Sequence, residues 1–486
     1  MSNVHVNNLG DTLVAESVPT VSGDAVYGFI PSNFRTFLAG TGTATTEDNK
    51  FKVTSGTSLG DYGVIRSFRS VNYKTGQGAS FRMSGYFETP LASTWSGLGA
   101  VNLGDELSFG YNQLNFGIWH RYGGKAEVRD LQVTGAAGGS ESATVEINGT
   151  EYTVPLTSGT VQDNAREIAE YLDANATGLE AEQIDDIVRV DFTSDGAKSG
   201  TYSFSSSTAT ATWSQVTAGV AGTDEFYPMN DGVAEGTDAF GVTTKSKWNG
   251  DTIQGFDPSK GQNYLISFNN GFGNIEFFIE TNNGIYKKVH TIEWANKKTV
   301  TNVVNPSLRL AVYATSVGAT SPITVYSSGM SGFIYGPVQK TRNPRAFANT
   351  KSIATTLTNI FTIRNSRTYN GFANQVEIAP VFLTLANDGT KTAEFQLRGN
   401  ATVAGDVNFQ EVGTNLISQV DTAGTTVTEN GRLLAEFVVA KASSITIDLT
   451  KFVIRQPPSL RLVIAGNMVS GSSADLTAAL TWYEDI

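Results

Sequence analysis

The segment TVQDNAREIAEYLD, residues 160–173, is the one convincing amphipathic helix in a sequence otherwise made of short strands and turns. Thr160, followed three residues later by Asp163, resembles a helix capping box. The apolar residues then recur at helical spacing, at Ala165, Ile168, Ala169 and Leu172. A single apolar stripe of this kind predicts a helix that covers a small β-sheet.

The segments around this helix supply the strands of that sheet. Residues 144–147 and 152–154 are joined by Asn148-Gly149, a dipeptide that favours tight β-hairpin turns. Residues 187–192 and 200–204 are typical of two further strands, and the glycine-rich residues 135–139 precede the hairpin as a hinge. We therefore predict a compact α+β insertion domain at residues 140–222.

This insertion carries most of the negative charge of the protein. Between residues 140 and 220, thirteen acidic residues against three basic ones leave a formal charge of −10, while the whole chain has −12. The acidic residues are Glu141, Glu146, Glu151, Asp163, Glu167, Glu170, Asp173, Glu180, Glu182, Asp185, Asp186, Asp191 and Asp195. Since charged side chains are rarely buried, we expect the acidic surface of the insertion to face solvent.

Alternation of apolar and polar residues predicts antiparallel sheets on both sides of the insertion. Residues 62–69, 80–87 and 263–268 are examples. We interpret residues 31–139 and 223–336 as one discontinuous β-sandwich and residues 337–486 as a second sandwich of the jelly-roll type. Residues 1–30 are expected to form an N-terminal arm. The predicted fold class is thus mainly β: two antiparallel β-sandwiches, the first interrupted by a small α+β domain.

The composition excludes several classes of protein. Only 16% of the 486 residues are charged, 40% are hydrophobic, and there is no cysteine for disulfides, thiolate metal sites or a cysteine nucleophile. The acidic balance argues against nucleic acid as a partner. Neither a signal peptide nor an apolar run long enough for membrane insertion is recognisable, so we expect a protein that is not secreted by a signal peptide.

No catalytic or metal-binding motif occurs in the sequence context that its chemistry requires. Residues 56–60 spell G-x-S-x-G, but a strand pattern follows where a nucleophile elbow needs a helix. The three histidines, His5, His120 and His290, lack ligand spacing, although the last two could meet across a sheet and bind a metal. A calcium site would need a loop that gathers the acidic residues Asp185, Asp186, Asp191 and Asp195, which lack EF-hand spacing. We predict no enzymatic activity, no cofactor and no metal.

Aromatic residues beside Gly- and Asn-rich turns of the first sandwich are better candidates for a binding site. They are Trp95, Trp119, Tyr122, Tyr227, Trp248 and Phe256. Sugar rings stack on exposed aromatic faces, so Trp95, Trp119 and Trp248 are candidate glycan contacts, whereas packing in the core is the alternative for each of these rings.

Several segments of the first sandwich resemble virion structural proteins of tailed phages, especially marine ones. They are Ser93–Ala100, the run from Phe109 through Trp119 and His120 to Arg129, Asp257–Gly261 and the strand from Asn274 to Glu280. The sandwich is also similar to concanavalin-type jelly rolls. The resemblance covers roughly residues 31–336 and implies a component that is exposed on the particle and present in several copies, with no active-site residues to carry over.

Three hypotheses follow. The first is a structural component of a tailed-phage virion: a surface-exposed fibre, spike or decoration subunit that contributes to host attachment. Its partners would be other virion proteins and copies of itself, with a host surface glycan as a further partner. The second is a polysaccharide-depolymerising enzyme of the tailspike type, which needs two facing carboxylates in a groove. The third is a glycan-binding module without turnover.

Overall fold

The computed structural model describes residues 19–30, 33–71, 73, 77–335, 343–369, 372–405, 407–413, 416–452 and 454–484. Residues 1–18 of the predicted arm and the predicted boundary at residues 336 and 337 lie outside this part of the chain. None of the described helices is long and apolar enough to cross a membrane.

The first sandwich begins with the strands that precede the insertion. They are β1 (Pro19–Asp24), β2 (Phe34–Ala39), β3 (Thr43–Glu47), β4 (Lys50–Thr54), β5 (Tyr62–Ser70), β6 (Gly78–Phe87), β7 (Thr94–Val101), β8 (Glu106–Asn112) and β9 (Asn115–Tyr122). The end of the predicted arm is therefore a strand, β1, of this sandwich.

The insertion contains the helix between short strands. Its elements are β10 (Ala126–Gly135), β11 (Glu141–Ile147), β12 (Thr150–Leu156), α1 (Val161–Asn175), β13 (Leu179–Ile184), β14 (Ile187–Asp195), β15 (Tyr202–Ser205) and β16 (Thr210–Thr217).

The chain then returns to the first sandwich. The strands that complete it are β17 (Thr223–Pro228), β18 (Gly236–Thr237), β19 (Thr243–Thr244), β20 (Gln262–Phe268), β21 (Ile275–Glu280), β22 (Tyr286–Ile292), β23 (Arg309–Ser316) and β24 (Thr324–Tyr335).

The C-terminal sandwich follows. It consists of β25 (Asn343–Ile353), β26 (Thr358–Asn365), β27 (Thr368–Tyr369), β28 (Phe372–Ala373), β29 (Ile378–Asn387), β30 (Ala393–Gly399), β31 (Thr402–Val403), β32 (Gln410–Glu411), β33 (Ser418–Asp421), β34 (Val427–Glu429), β35 (Arg432–Val439), β36 (Ser443–Asp448), a 3-10 turn (Leu449–Phe452), β37 (Arg461–Met468) and β38 (Ala474–Glu484).

The first sandwich consists of two large sheets. An eight-stranded sheet has the order β22-β21-β20-β6-β24-β4-β3, with β1 also paired to β24. A nine-stranded sheet has the order β18-β19-β17-β9-β8-β7-β23-β5-β2 and is antiparallel except for the β17–β19 pair. Alternate side chains fill the space between the sheets, where the ring of Phe109 lies 4.8 Å from that of Tyr264 and 5.5 Å from that of Phe277.

The insertion confirms the predicted helix and hairpin. Thr160 caps α1 and Asp163 completes the capping box, and the apolar stripe of the helix is buried. Strands β11 and β12 pair through Asn148 (φ 53°) and Gly149 (φ 82°), the positive φ values that such a two-residue turn requires. The core of the insertion includes Leu131, Val145, Ile168, Leu172 and Val190.

The extent of the insertion differs from the predicted one. Strand β10, placed in the first sandwich by its alternating sequence, pairs with β14 and β16 and so belongs to the insertion. Among the described residues the chain comprises two compact units, residues 19–125 with 220–335 and residues 126–219 with 343–484. The insertion thus belongs to the same unit as the C-terminal sandwich. The sequence did not predict this, because strand alternation reveals which face of a strand is buried but not which strand is its partner.

Within this second unit, acidic residues of the insertion meet arginines of the C-terminal sandwich. Arg367 donates to Asp173 at 2.7 Å, and Arg364 donates to the carbonyl of Gln183 at 2.6 Å, with its Nε 3.8 Å from a carboxylate oxygen of Glu182. The expectation of an entirely solvent-facing acidic surface is therefore wrong. Glu182 is only 4% exposed and Asp191 only 8%.

The C-terminal sandwich has a six-stranded sheet, β32-β33-β26-β37-β30-β35, and a four-stranded sheet, β25-β38-β29-β36. Two short pairs, β27-β28 and β31-β34, accompany them. Phe361, Leu383, Phe395 and Trp482 lie in the core between these sheets. The predicted fold class, antiparallel β-sandwiches with a small α+β insertion, is confirmed.

Candidate functional site

A row of three glycines crosses the outer face of the nine-stranded sheet. Gly97 of β7 pairs with Gly110 of β8, which in turn pairs with Gly117 of β9. Their neighbours along each strand point into the core, so the glycines lie on the opposite face. A Cβ atom on Gly97 would lie 2.3 Å from the ring of Tyr313, and one on Gly117 would lie 2.6 Å from that of Phe226. These three glycines, the glycine floor, leave room for aromatic rings to lie over the sheet.

An aromatic cluster packs at this floor: Trp95, Trp119, Phe226 and Phe240. The ring of Trp119 lies 4.9 Å from that of Phe226 and 5.9 Å from that of Trp95. Phe240 meets Trp95 edge to face at 5.6 Å. Trp119 is only 5% exposed whereas Phe240 is 43% exposed, so Phe240 and part of Trp95 form the accessible surface of the cluster.

A polar row of Glu106, Arg121 and Asp224 crosses the same face beside the cluster. These residues are cross-strand partners on β8, β9 and β17. The Nε of Arg121 lies 3.5 Å from a carboxylate oxygen of Asp224. Tyr313 donates its hydroxyl hydrogen to Glu106 at 2.5 Å, and the hydroxyl of Ser108 donates to the same oxygen. Aromatic faces and charged hydrogen-bonding groups thus lie side by side on one sheet.

Burial changes the acidity of this row. It raises the pKa of Glu106, and the nearby Asp224 acts in the same direction. Hydrogen bonds from Ser108 and Tyr313, together with Arg121, oppose that rise. Burial and the Glu106 carboxylate also raise the pKa of Tyr313 well above its usual value, so its hydroxyl stays protonated and remains a donor.

The three tryptophans predicted as glycan contacts lie on different faces of the sheet. Trp95 and Trp119 come together on the outer face. Trp248 packs against Phe109 and Phe116 on the core side, and its Nε1 donates to the carbonyl of Tyr227 at 2.9 Å. Tyr122, Tyr227 and Phe256, the other aromatics considered, also pack in or against this core.

Glu106, Phe226, Phe240 and Tyr313 were not predicted from the sequence. A signal for the floor was present, because Gly97 and Gly99 in β7 alternate with core residues. Glycines at every second position of a strand leave one face free for large rings from neighbouring strands. The identity of the covering rings depends on strand pairing, which single strands do not reveal.

The other described residues considered from the sequence are not gathered into a catalytic or metal site, and His5 lies outside the described residues. Residues 56–60 form a turn without a helix after it. His120 lies in β9 and His290 in β22, on different sheets, and both are buried. Asp185 and Asp186 lie in the turn between β13 and β14, while Asp191 lies within β14. In the described part of the chain, no group of three or more His, Asp or Glu side chains is arranged to hold a metal ion.

Neither a protein-family model nor a curated protein sequence matches the chain. Solved structures with a similar fold include a pseudo β-1,3-glucanase of Mycobacterium tuberculosis, with 7% identity, a TM-score of 0.28 and coverage of 66% of this chain and 99% of that one. A legume lectin-like domain from Entamoeba histolytica has 8% identity and a TM-score of 0.24 over 65% of this chain and 98% of that one. Lectin II from Ulex europaeus has 11% identity and a TM-score of 0.23 over 66% of this chain and 100% of that one. These similarities concern the fold alone.

Proposed function

We propose that the protein is a glycan-binding module without turnover and that its site is the outer face of the nine-stranded sheet. The observation that supports this most directly is the juxtaposition of the aromatic cluster with the polar row. An apolar ring face beside charged donors and acceptors matches a pyranose, which has an apolar face and a rim of hydroxyl groups.

Each part of the surface has a role in this proposal. The ring of Trp95 stacks on the sugar ring, and Trp119, whose ring lies 5.9 Å away, holds Trp95 in place. Arg121 and Asp224 lie within the adjoining row and bond to sugar hydroxyls. Trp248, which packs on the core side of the sheet, has no direct contact with the glycan.

The test is a glycan array followed by titration calorimetry with the oligosaccharide that binds most tightly. We expect Trp95→Ala to weaken binding about tenfold or more, which corresponds to about 1.4 kcal/mol. Phe272→Ala is the matched control, because Phe272 is 55% exposed in the turn between β20 and β21. Absence of binding to every glycan at millimolar concentration, or full binding by Trp95→Ala, would overturn the proposal.

A depolymerising enzyme is the second candidate, and the polar row supports it. Glu106 and Asp224 lie on strands separated only by β9, so their backbones are two strand spacings, about 9.5 Å, apart. Glycosidases use a pair of carboxyl groups, one of which is a general acid with a raised pKa, and burial raises the pKa of Glu106. Release of reducing ends from a polysaccharide, abolished by Glu106→Gln, would establish turnover. No release by the wild-type protein leaves the binding module as the function.

We further propose that this module acts in a tailed-phage virion as a fibre, spike or decoration subunit. The resemblance of residues 31–336 to virion proteins supports this, as does an architecture of β-sandwiches with an insertion. Antibodies raised against the insertion provide the test, since Glu151 and Glu170 on its surface are exposed. Labelling of intact particles is the expected result, and particles whose protein composition lacks this chain would refute the assignment.

A further inference from the structure

We infer that Phe240 is a built-in plug of the glycan site and that residues 236–244 form a flap that must move before a sugar ring can stack on Trp95. This inference rests on the proposed glycan binding and adds its regulation. Phe240 already packs on Trp95, with 5.6 Å between the ring centroids and 87° between the ring planes, where the apolar face of a pyranose would lie.

Few backbone bonds tie the flap to the sheet, and its buried apolar anchor is Val242, which packs with Trp119 and Phe226. Strands β18 and β19 contain two residues each, and β19 pairs with β17 only at Thr243 and Thr244. Within the flap, a carboxylate oxygen of Asp238 accepts hydrogen bonds from the backbone N–H groups of Phe240 and Val242 at 2.9 and 3.0 Å. A small element that is organised internally and attached by so few backbone bonds can open as a unit.

Buried polar atoms at the aromatic cluster have no partner while the flap is closed. Among the described residues, the indole Nε1 atoms of Trp95 and Trp119 form no hydrogen bond, although both are buried. The side-chain oxygen of Asn112, the cross-strand neighbour of Trp95, also has none. The other two tryptophans of this sandwich bond to backbone carbonyls, Trp248 to that of Tyr227 and Trp294 to that of Val300.

This contrast indicates the chemistry of the missing group. Phe240 covers Trp95 with hydrocarbon and cannot bond to an indole N–H or to an amide oxygen. A pyranose in its place offers hydroxyl groups that accept from the indoles and donate to Asn112. Replacing unsatisfied buried donors with bonded ones favours the open, sugar-bound form over the closed one. The ligand class is therefore a neutral sugar ring with one apolar face.

The experiment compares wild type, Phe240→Ala and the control Phe272→Ala by calorimetry. The probes are hexasaccharides of β-1,3-linked and β-1,4-linked glucose and of β-1,4-linked galactose, together with the tightest binder from the array. Removal of the plug is expected to tighten binding about fivefold to tenfold and to speed association, while the control leaves both unchanged. Hydrogen exchange of residues 236–244 is expected to increase when sugar binds the wild-type protein.

The outcomes separate this inference from the proposed function. If wild type binds sugar, Trp95→Ala abolishes binding and Phe240→Ala weakens it, then Phe240 is a direct contact and the plug is refuted while the glycan site stands. Unchanged affinity in Phe240→Ala, or unchanged exchange in the flap, also refutes the plug alone. If neither wild type nor Phe240→Ala binds any sugar, the proposed function fails and the plug fails with it.

Discussion

Burial of His290 in the first sandwich gives the protein a pH-dependent stability. Burial lowers the pKa of this imidazole to about 4, against 6.5 for a free side chain. Its Nδ1 accepts a hydrogen bond from the backbone N–H of Asn249 at 3.2 Å, which also requires an unprotonated nitrogen. The folded protein therefore holds His290 neutral at pH values where the unfolded chain protonates it.

The folded protein loses stability as the pH falls, because protonation of His290 favours the unfolded state. The contribution of His290 is complete above pH 6.5 and is lost as the pH falls from 6.5 toward 4, because only the unfolded state binds the proton in that window. The loss amounts to about 3 kcal/mol. Urea unfolding of wild type and His290→Asn between pH 8 and pH 4.5 measures it. The variant should show a shallower decline with pH, and equal slopes would contradict the assignment.

The aromatic residues show what the sequence could provide at the level of single residues. Composition and turn context identified Trp95 and Trp119, which share the outer face. The same reasoning included Trp248, which lies on the core side. The side of the sheet a tryptophan occupies is decided by its strand phase and pairing. Trp248 lies outside the strands, so no alternation of apolar and polar residues assigns it to one face of the sheet.

At the level of elements, the helix was predictable because its determinants are local. Capping and apolar spacing fall within residues 160–172, and the structure confirms both. The membership of β10 was not predictable, because its partners β14 and β16 follow it in the chain by 50 residues or more. The sequence of a single strand does not indicate which distant segment it pairs with.

The cap of α1 leads to a prediction about the stability of the insertion. Thr160 accepts a hydrogen bond from the N–H of Asp163 at 3.2 Å and donates its own N–H to the Asp163 carboxylate at 2.9 Å. Thr160→Ala removes the first bond and is expected to lower the free energy of unfolding by about 1 kcal/mol. Thr177→Ala, at an exposed residue beyond the helix, is the control for urea unfolding. Equal effects of the two substitutions would exclude a capping role.

Strand β35 leads to a prediction about self-association. It ends the six-stranded sheet, pairs only with β30 among the described strands, and exposes 44% of Leu433 and 64% of Val438. Free apolar edges readily pair with another strand. An antiparallel pair of two copies centred on Leu434 sets Arg432 of each copy opposite Glu436 of the other. We expect a dimer in analytical ultracentrifugation that Val438→Lys dissociates and the control Leu59→Lys does not. A monomeric wild type at high concentration would contradict this pairing.

At the level of the whole molecule, the two compact units do not follow the order of the chain. The insertion interrupts one sandwich in sequence but packs in the other unit. Its acidic composition was visible in the sequence, whereas its basic partners, Arg364 and Arg367, lie almost 200 residues further on in a segment of balanced charge. Part of the acidity expected to face solvent therefore lies at the junction between the insertion and the C-terminal sandwich.

Arg364 tests whether the insertion and the C-terminal sandwich unfold together. Its guanidinium is buried, bonds to the carbonyl of Gln183 at 2.6 Å and to the side chain of Gln419 at 2.8 Å, and lies beside the buried carboxylate of Glu182. Arg364→Ala leaves that carboxylate without its nearest positive charge, which is expected to destabilise the unit by about 3–5 kcal/mol. Hydrogen exchange should then accelerate in residues 126–219 and 343–484 alike, because the junction links both. Arg455→Ala, at an exposed residue between the 3-10 turn and β37, is the control and should leave exchange unchanged. Faster exchange confined to the insertion would show instead that the insertion opens on its own and that the junction contributes little to the C-terminal sandwich.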